Sequence, residues 1–229
     1  MTPAPLKPLS YGVLLFLLCY CLETIFSMGC GEFVDTSAID RAMYVTLGGK
    51  FFACLVALAF VATRERGALS SAGFTWDGAA RGSLGAIGAY LLFLPLFIFV
   101  VGPLNQLFVG DEQQAIVREI MERTDLLKSI PFLATVCVGV PILEEIIFRI
   151  FLYQGLRFQL PYLAAVLVSG AVFGLLHGLA AAFPILTLGI LLGWLREKSR
   201  SIVPVVIVHA IHNSWTVLSI HVLDIFEKT

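Results

Sequence analysis

Glu144 and Glu145 stand side by side in a run, residues 131–160, that is otherwise almost wholly apolar, and Arg149 follows four positions after Glu145. On insertion scales each such charge costs about 2.5–3.5 kcal/mol at mid-bilayer, so a chain that carries three of them has a use for them. On a helix, Glu145 and Arg149 share a face, with the acid first, which is the better order for an ion pair. That pair reads equally well as a packing device. Glu144 is turned about 100° away and must meet its partner on another helix. Pro141 has no N–H for the carbonyl of Cys137, which predicts a kink just before the acids.

Three more polar residues fall in apolar runs. His177 lies in the stretch Phe173-Gly174-Leu175-Leu176-His177, and His209 and Asn213, four apart, share a helix face. At about 1.5 Å per helical residue from the expected cytoplasmic helix ends, Glu144 lies about 21–24 Å deep and His177 about 24 Å. Asn213 then lies at about 16 Å and His209 at about 10 Å. Polar groups from three helices near one level make a buried polar site. A carboxylate beside an imidazole activates water: Glu144 takes the proton and His177 orients the water. Asn213 and His209 carry N–H donors suited to the oxyanion of an attacked peptide carbonyl. A rival reading makes Glu144, His177 and His209 ligands of Zn²⁺. No HExxH sequence supports it, and no cofactor is the expectation. Ser169-Gly170 lacks the GxSxG context of a serine nucleophile. His212 and His221 read as core residues.

These groups need helices to hold them. Of 229 residues, 59% are hydrophobic and 14% charged, with a mean hydropathy of +0.92. Soluble domains average about 25% charged, so this is an all-α, polytopic membrane protein. A net charge of −1 argues against nucleic acid as a partner. The five cysteines form no CxxC pattern and read as small apolar residues. Seven spans are expected: 11–28, 42–63, 82–101, 131–160, 161–181, 183–195 and 202–225. The sixth is short of the roughly twenty residues a crossing needs and reads as distorted or partly re-entrant. Lys50 interrupts the second and either snorkels or pairs with an acid, Glu23 being a candidate. Residues 111–129 read as an amphipathic surface helix, with a lid over the site as the bolder alternative. Eight lysines and arginines lie on the N-terminal side of the membrane and five on the other. This bias puts the N-terminus in the cytoplasm. The whole chain, 1–229, reads as one membrane domain whose motif-bearing core is about 131–215.

Taken together, Glu144-Glu145-x-x-x-Arg149, Phe173-x-x-x-His177 and His209-x-x-x-Asn213 resemble the three motifs of the CPBP intramembrane proteases. This family holds CAAX-processing proteases and bacteriocin-processing or immunity proteins, and is also called the Abi family. The resemblance covers about 131–215. It implies helices around a membrane-buried cavity and a glutamate-type endopeptidase, in a family long described as metalloproteases. By position, Glu144 resembles the catalytic glutamate and His177 its water-activating partner. His209 and Asn213 resemble the oxyanion-binding pair, and Glu145, Arg149 and Phe173 supporting residues. Seven spans, against about eight in eukaryotic CAAX proteases, point away from prenylated substrates. Bacterial relatives are proposed to trim bacteriocin leaders, to confer self-immunity, or to remove C-terminal sorting tails as rhombosortases and myxosortases do, and the expected depth of the site, nearer the outside face, suits the C-terminal membrane tail of an exported protein. The implied partners are a membrane-associated protein or peptide and the lipid bilayer of a bacterial plasma membrane. Alternatives from other classes are a non-catalytic membrane immunity or binding protein and a proton-coupled transporter. Transport would need binding groups spread between internal repeats, which the sequence does not show.

Overall fold

The computed structural model describes residues 9–31, 39–64, 67–109 and 126–227, and its regular structure is helical throughout. Among the described residues, six helices are long and apolar enough to cross a membrane. They are α1 (Gly12–Gly31), α2 (Ile39–Arg64), α3 (Ala79–Val109), α4 (crossing over Ser129–Gln159), α6 (Leu179–Ser199) and α7 (Val203–Glu227). Between α4 and α6 lies the shorter apolar helix α5, Tyr162–Leu175. Large apolar side chains such as Leu92 and Phe108, 84% and 80% exposed, face outward, as lipid requires. The expected surface helix at 111–129 falls mostly outside the described residues.

Two expectations change. The expected fifth span of 161–181 ends early: α5 has 14 residues, about 21 Å of rise, short of a 30 Å hydrocarbon core. The expected short sixth span has 21 residues instead. Gly178 makes the difference. With φ of 85° it breaks the helix at a conformation that suits glycine, so the residues after it join α6. The third span also runs past Gly102-Pro103 to Val109. A wider π-helical turn, Phe97–Val101, precedes Pro103 and absorbs its missing N–H.

Prolines elsewhere free carbonyls that asparagines then satisfy. Pro184 lies inside α6 and has no N–H for the carbonyl of Ala180; Asn105 Nδ2 donates to that oxygen at 3.1 Å. Pro141 follows the π-helical turn Thr135–Gly139, where the Val140 N–H reaches back five residues to Thr135. In that register Pro141 should serve the carbonyl of Val136, and cannot. Asn213 Nδ2 donates to it at 2.9 Å. The proline therefore acts through a widened turn that presents a bare carbonyl to α7.

Small residues decide which helices touch. α5 and α6 meet through Gly170-x-x-x-Gly174 and Gly189-x-x-x-Gly193. A Cβ at Gly174 would stand 2.5 Å from the Ala182 carbonyl oxygen, and one at Gly189 3.0 Å from Gly170 Cα. Backbones this close gain dispersion contacts that lipid cannot offer. Gly12 and Gly155 do the same for α1 against α4: a Cβ at Gly12 would lie 2.4 Å from the Phe151 oxygen. α4 is thereby enclosed, and every residue from Leu143 to Tyr153 is buried.

Candidate active site

The π-helical turn Ile146–Leu152 begins directly after Glu145. Such a turn brings residues four apart nearly into line. Arg149 Nε donates to Glu145 Oε2 at 2.8 Å, and both side chains are fully buried. The Arg149 guanidinium also sits over the Phe173 ring, with Cζ 5.2 Å from the centroid. That contact partly offsets the burial of Nη1 and Nη2, which have no hydrogen-bond partner among the described residues.

His209 rises from α7 to the other oxygen of the same carboxylate, with Nδ1 2.8 Å from Glu145 Oε1. A carboxylate only accepts, so Nδ1 carries the proton. Glu145 is thus held by Arg149 on one oxygen and His209 on the other. Nε2 of His209 is left facing Glu144 Oε2 at 3.9 Å.

His177 lies beyond the end of α5, in the turn before α6. The last carbonyls of a helix need donors. Those of Val172, Gly174 and Leu175 take backbone N–H groups from residues 176–178. The carbonyl of Phe173 takes the ring N–H of His177, Nδ1 lying 2.7 Å away. Capping the helix therefore aims the ring, and Nε2 points at Glu144 Oε1, 3.6 Å away.

Glu144 is where these arrangements converge. It is 5% exposed, with one imidazole Nε2 opposite each of its oxygens. Both gaps exceed hydrogen-bond length, so neither imidazole is bonded directly to the carboxylate. His209 meets Glu144, 3.9 Å from Nε2 to Oε2, although the rise along their helices put them about 11–14 Å apart in depth. Phe173, 1% exposed, packs between the two imidazoles at ring distances of 4.6 Å and 5.7 Å. Asn213 joins the same wall. One N–H of its amide is spent on Val136 and the second remains for another acceptor.

A cavity of about 400 Å³ opens from this cluster. Glu144, His177, His209 and Asn213 form its polar end, and apolar residues including Met43, Leu188 and Val217 form the rest. His212 lines it as well but is engaged elsewhere: Nδ1 lies 3.1 Å from the Tyr90 hydroxyl, and the ring packs on Phe97. This agrees with its reading as a core residue.

Sequence reading missed one participant. Lys50 Nζ on α2 lies 3.7 Å from Glu144 Oε1 and 4.0 Å from Glu23 Oε1 on α1. The signal was present as a charge interrupting an apolar run, and Glu23 was a named candidate partner. The link to Glu144 has no local spacing and could not be read.

Glu144 and the two Nε2 atoms are donors that zinc accepts, and imidazoles whose Nδ1–H is tied to oxygen are typical of metal ligands. The spacing disagrees. Gaps of 3.6 Å and 3.9 Å are wider than the roughly 3.3 Å edge set by zinc bonds of about 2.0–2.1 Å. The Lys50 ammonium already supplies a cation beside Oε1. Among the described residues no group of three or more His, Cys, Asp or Glu is arranged to hold a metal. A metal ion fits this set poorly.

Residues 126–215 match the family model for Rce1-like proteins, described as type II CAAX prenyl endopeptidase Rce1-like. The matched segment contains Glu144, Glu145, Arg149, Phe173, His177, His209 and Asn213, and stops short of α1, α2 and α3. No curated protein and no solved structure matches the chain.

Proposed function

We propose, from the premise that residues 126–215 carry the core of the CPBP family of CAAX intramembrane proteases, that this multi-pass membrane protein is a glutamate-dependent intramembrane endopeptidase. One observation carries the reading: the Nε2 atoms of His177 and His209 face the two oxygens of Glu144 at the polar end of an apolar cavity. A water on the cavity side of Glu144 and His177 gives its proton to Glu144 and attacks the peptide carbonyl carbon. The new oxyanion lies toward Asn213 and His209. Glu145 holds the His209 ring through Nδ1–H and so aims its Nε2 edge toward the reacting carbonyl, beside the second amide N–H of Asn213. Collapse of the tetrahedral intermediate breaks the C–N bond, and the proton on Glu144 passes to the leaving amine.

The cavity walls are apolar, which favours a substrate segment that is itself membrane-embedded. With α5 and its following turn counted as a seventh crossing, the lysine and arginine bias favours a cytoplasmic N-terminus, and hence the C-terminal tail of an exported protein as substrate. Reporter fusions that put the C-terminus in the cytoplasm would remove that preference.

The direct test uses the purified full-length protein in phosphatidylethanolamine–phosphatidylglycerol vesicles with two probes. One is a farnesylated peptide ending in a CAAX sequence, and the other an unmodified single-span peptide with a short C-terminal tail. Wild type should cleave at least one, and Glu144→Gln should lose about 100-fold or more. A Glu144→Gln variant that cleaves like wild type, or a folded wild type that cleaves neither probe, overturns the reading.

A further inference from the structure

Glu144 and Glu145 are adjacent buried carboxylates with different counter-charges. Glu145 has a guanidinium at 2.8 Å. Glu144 faces two imidazoles, which are cations only when protonated. Among the described residues, the cation within ion-pair distance of Glu144 that does not depend on histidine protonation is Lys50. It comes from α2, in the part of the chain that the family match does not reach.

We propose that Lys50, held by Glu23, is a positioning residue of the active site: its ammonium supplies the counter-charge of Glu144 and fixes the rotation of that carboxylate. The proposal rests on the endopeptidase reading given above.

The surroundings are built for this. The Lys50 and Glu23 side chains are 16% and 13% exposed, so neither is an ordinary surface charge. The neighbour of Lys50, Gly49, lets α2 close against α1 at the level of Glu23: a Cβ there would lie 3.1 Å from the Glu23 carbonyl oxygen. One turn further along α2, Cys54 Sγ lies 4.0 Å from the carbonyl oxygen of Leu143, the residue before Glu144. α2 thus runs close to both α1 and α4 on either side of Lys50, and the ammonium lies between Glu23 and Glu144. Both Lys50 and His177 approach Oε1, at 3.7 Å and 3.6 Å, so Oε2 is turned toward His209. Without the ammonium, two carboxylates, Glu23 and Glu144, would face each other across the space it fills. The α1–α2 hairpin then has a task beyond enclosing α4: it delivers the charge that sets the catalytic carboxylate.

The test uses full-length Lys50→Met, Lys50→Arg and Glu23→Gln in the same vesicles, with the peptide that wild type cleaves. The expected result is that Lys50→Met lowers kcat by about 10- to 100-fold while KM changes by less than about threefold, as misplacement of a reacting group does. Lys50→Arg, which keeps the charge, should return kcat to within about fivefold of wild type. Glu23→Gln should fall between them. If Lys50→Met does not fold, the double variant Glu23→Gln/Lys50→Met removes both charges together and should fold with kcat still depressed. A Lys50→Met or double variant with kcat within about twofold of wild type overturns the proposal. So does a folded Lys50→Arg as slow as Lys50→Met, because the charge would then not matter. If Glu144→Gln is inactive while Lys50→Met is fully active, this inference fails and the endopeptidase reading stands. If Glu144→Gln is fully active, both fall.

Discussion

His209 Nδ1 lies 2.8 Å from Glu145 Oε1, while Arg149 Nε lies 2.8 Å from Glu145 Oε2. One buried carboxylate therefore ties a histidine of α7 to an arginine of its own helix. The link makes Glu145 a hinge between the Glu144 helix and the helix that carries His209 and Asn213. Arg149→Met should leave this carboxylate without its permanent counter-charge and destabilise the protein by about 3–5 kcal/mol. Thermal unfolding of the variant in detergent reads this directly; an unchanged midpoint would contradict it.

Glu145→Gln keeps the shape and one acceptor but removes the negative charge. If Glu145 fixes the His209 ring for the oxyanion, kcat should fall by about 10²–10³-fold with little change in KM. Single-turnover cleavage compared with peptide binding separates the two. A pure KM effect would mean that His209 only binds substrate.

Asn213 and Asn105 make the same kind of bond, each to a carbonyl that a proline leaves bare. Asn213→Ala and Asn105→Ala should each cost about 0.5–1.5 kcal/mol of stability, because a half-buried acceptor loses its donor. Only Asn213→Ala should also abolish cleavage. Equal activity losses in the two variants would show that Asn213 acts through helix packing alone.

Gly174 tests the link between helix packing and the site. Its substitution by alanine places a Cβ 2.5 Å from the Ala182 carbonyl oxygen and 2.7 Å from Leu186 Cβ, three residues before His177. The overpacking should cost about 1–3 kcal/mol and lower activity by moving the end of α5. Gly85→Ala, in α3 with open space around it, is the control and should be neutral or stabilising by up to about 1 kcal/mol. Melting curves and cleavage rates on both variants check the contrast.

Zinc provides a separate test. Dialysis against a chelator should leave cleavage unchanged, and elemental analysis of the active protein should find substoichiometric zinc. Stoichiometric zinc, with activity that the chelator removes and zinc restores, would replace the glutamate reading with the metal one.

Much of the protein is fixed by local spacing alone. Residues four apart on a helix meet wherever the helix lies, so the Glu145–Arg149 pair follows from the order of residues. Apolar runs of about twenty residues give membrane helices because unpaired backbone groups are intolerable in hydrocarbon. Glu144, alone on its face, had to find a partner elsewhere for the same reason. Tertiary structure decided which partner. Lys50 lies 94 positions from Glu144, and the two meet because α1 and α2 pack closely at Gly49 and α1 meets α4 through Gly12 and Gly155. Asn213 meets Val136 because a widened turn and a proline together expose one carbonyl to α7. The division of residues 161–199 into a short helix and a long one turned on the backbone at Gly178, which hydropathy does not register. Spacing along a helix is set by the helix itself. Meetings between helices depend on where small residues let backbones approach, and that depends on both partners at once.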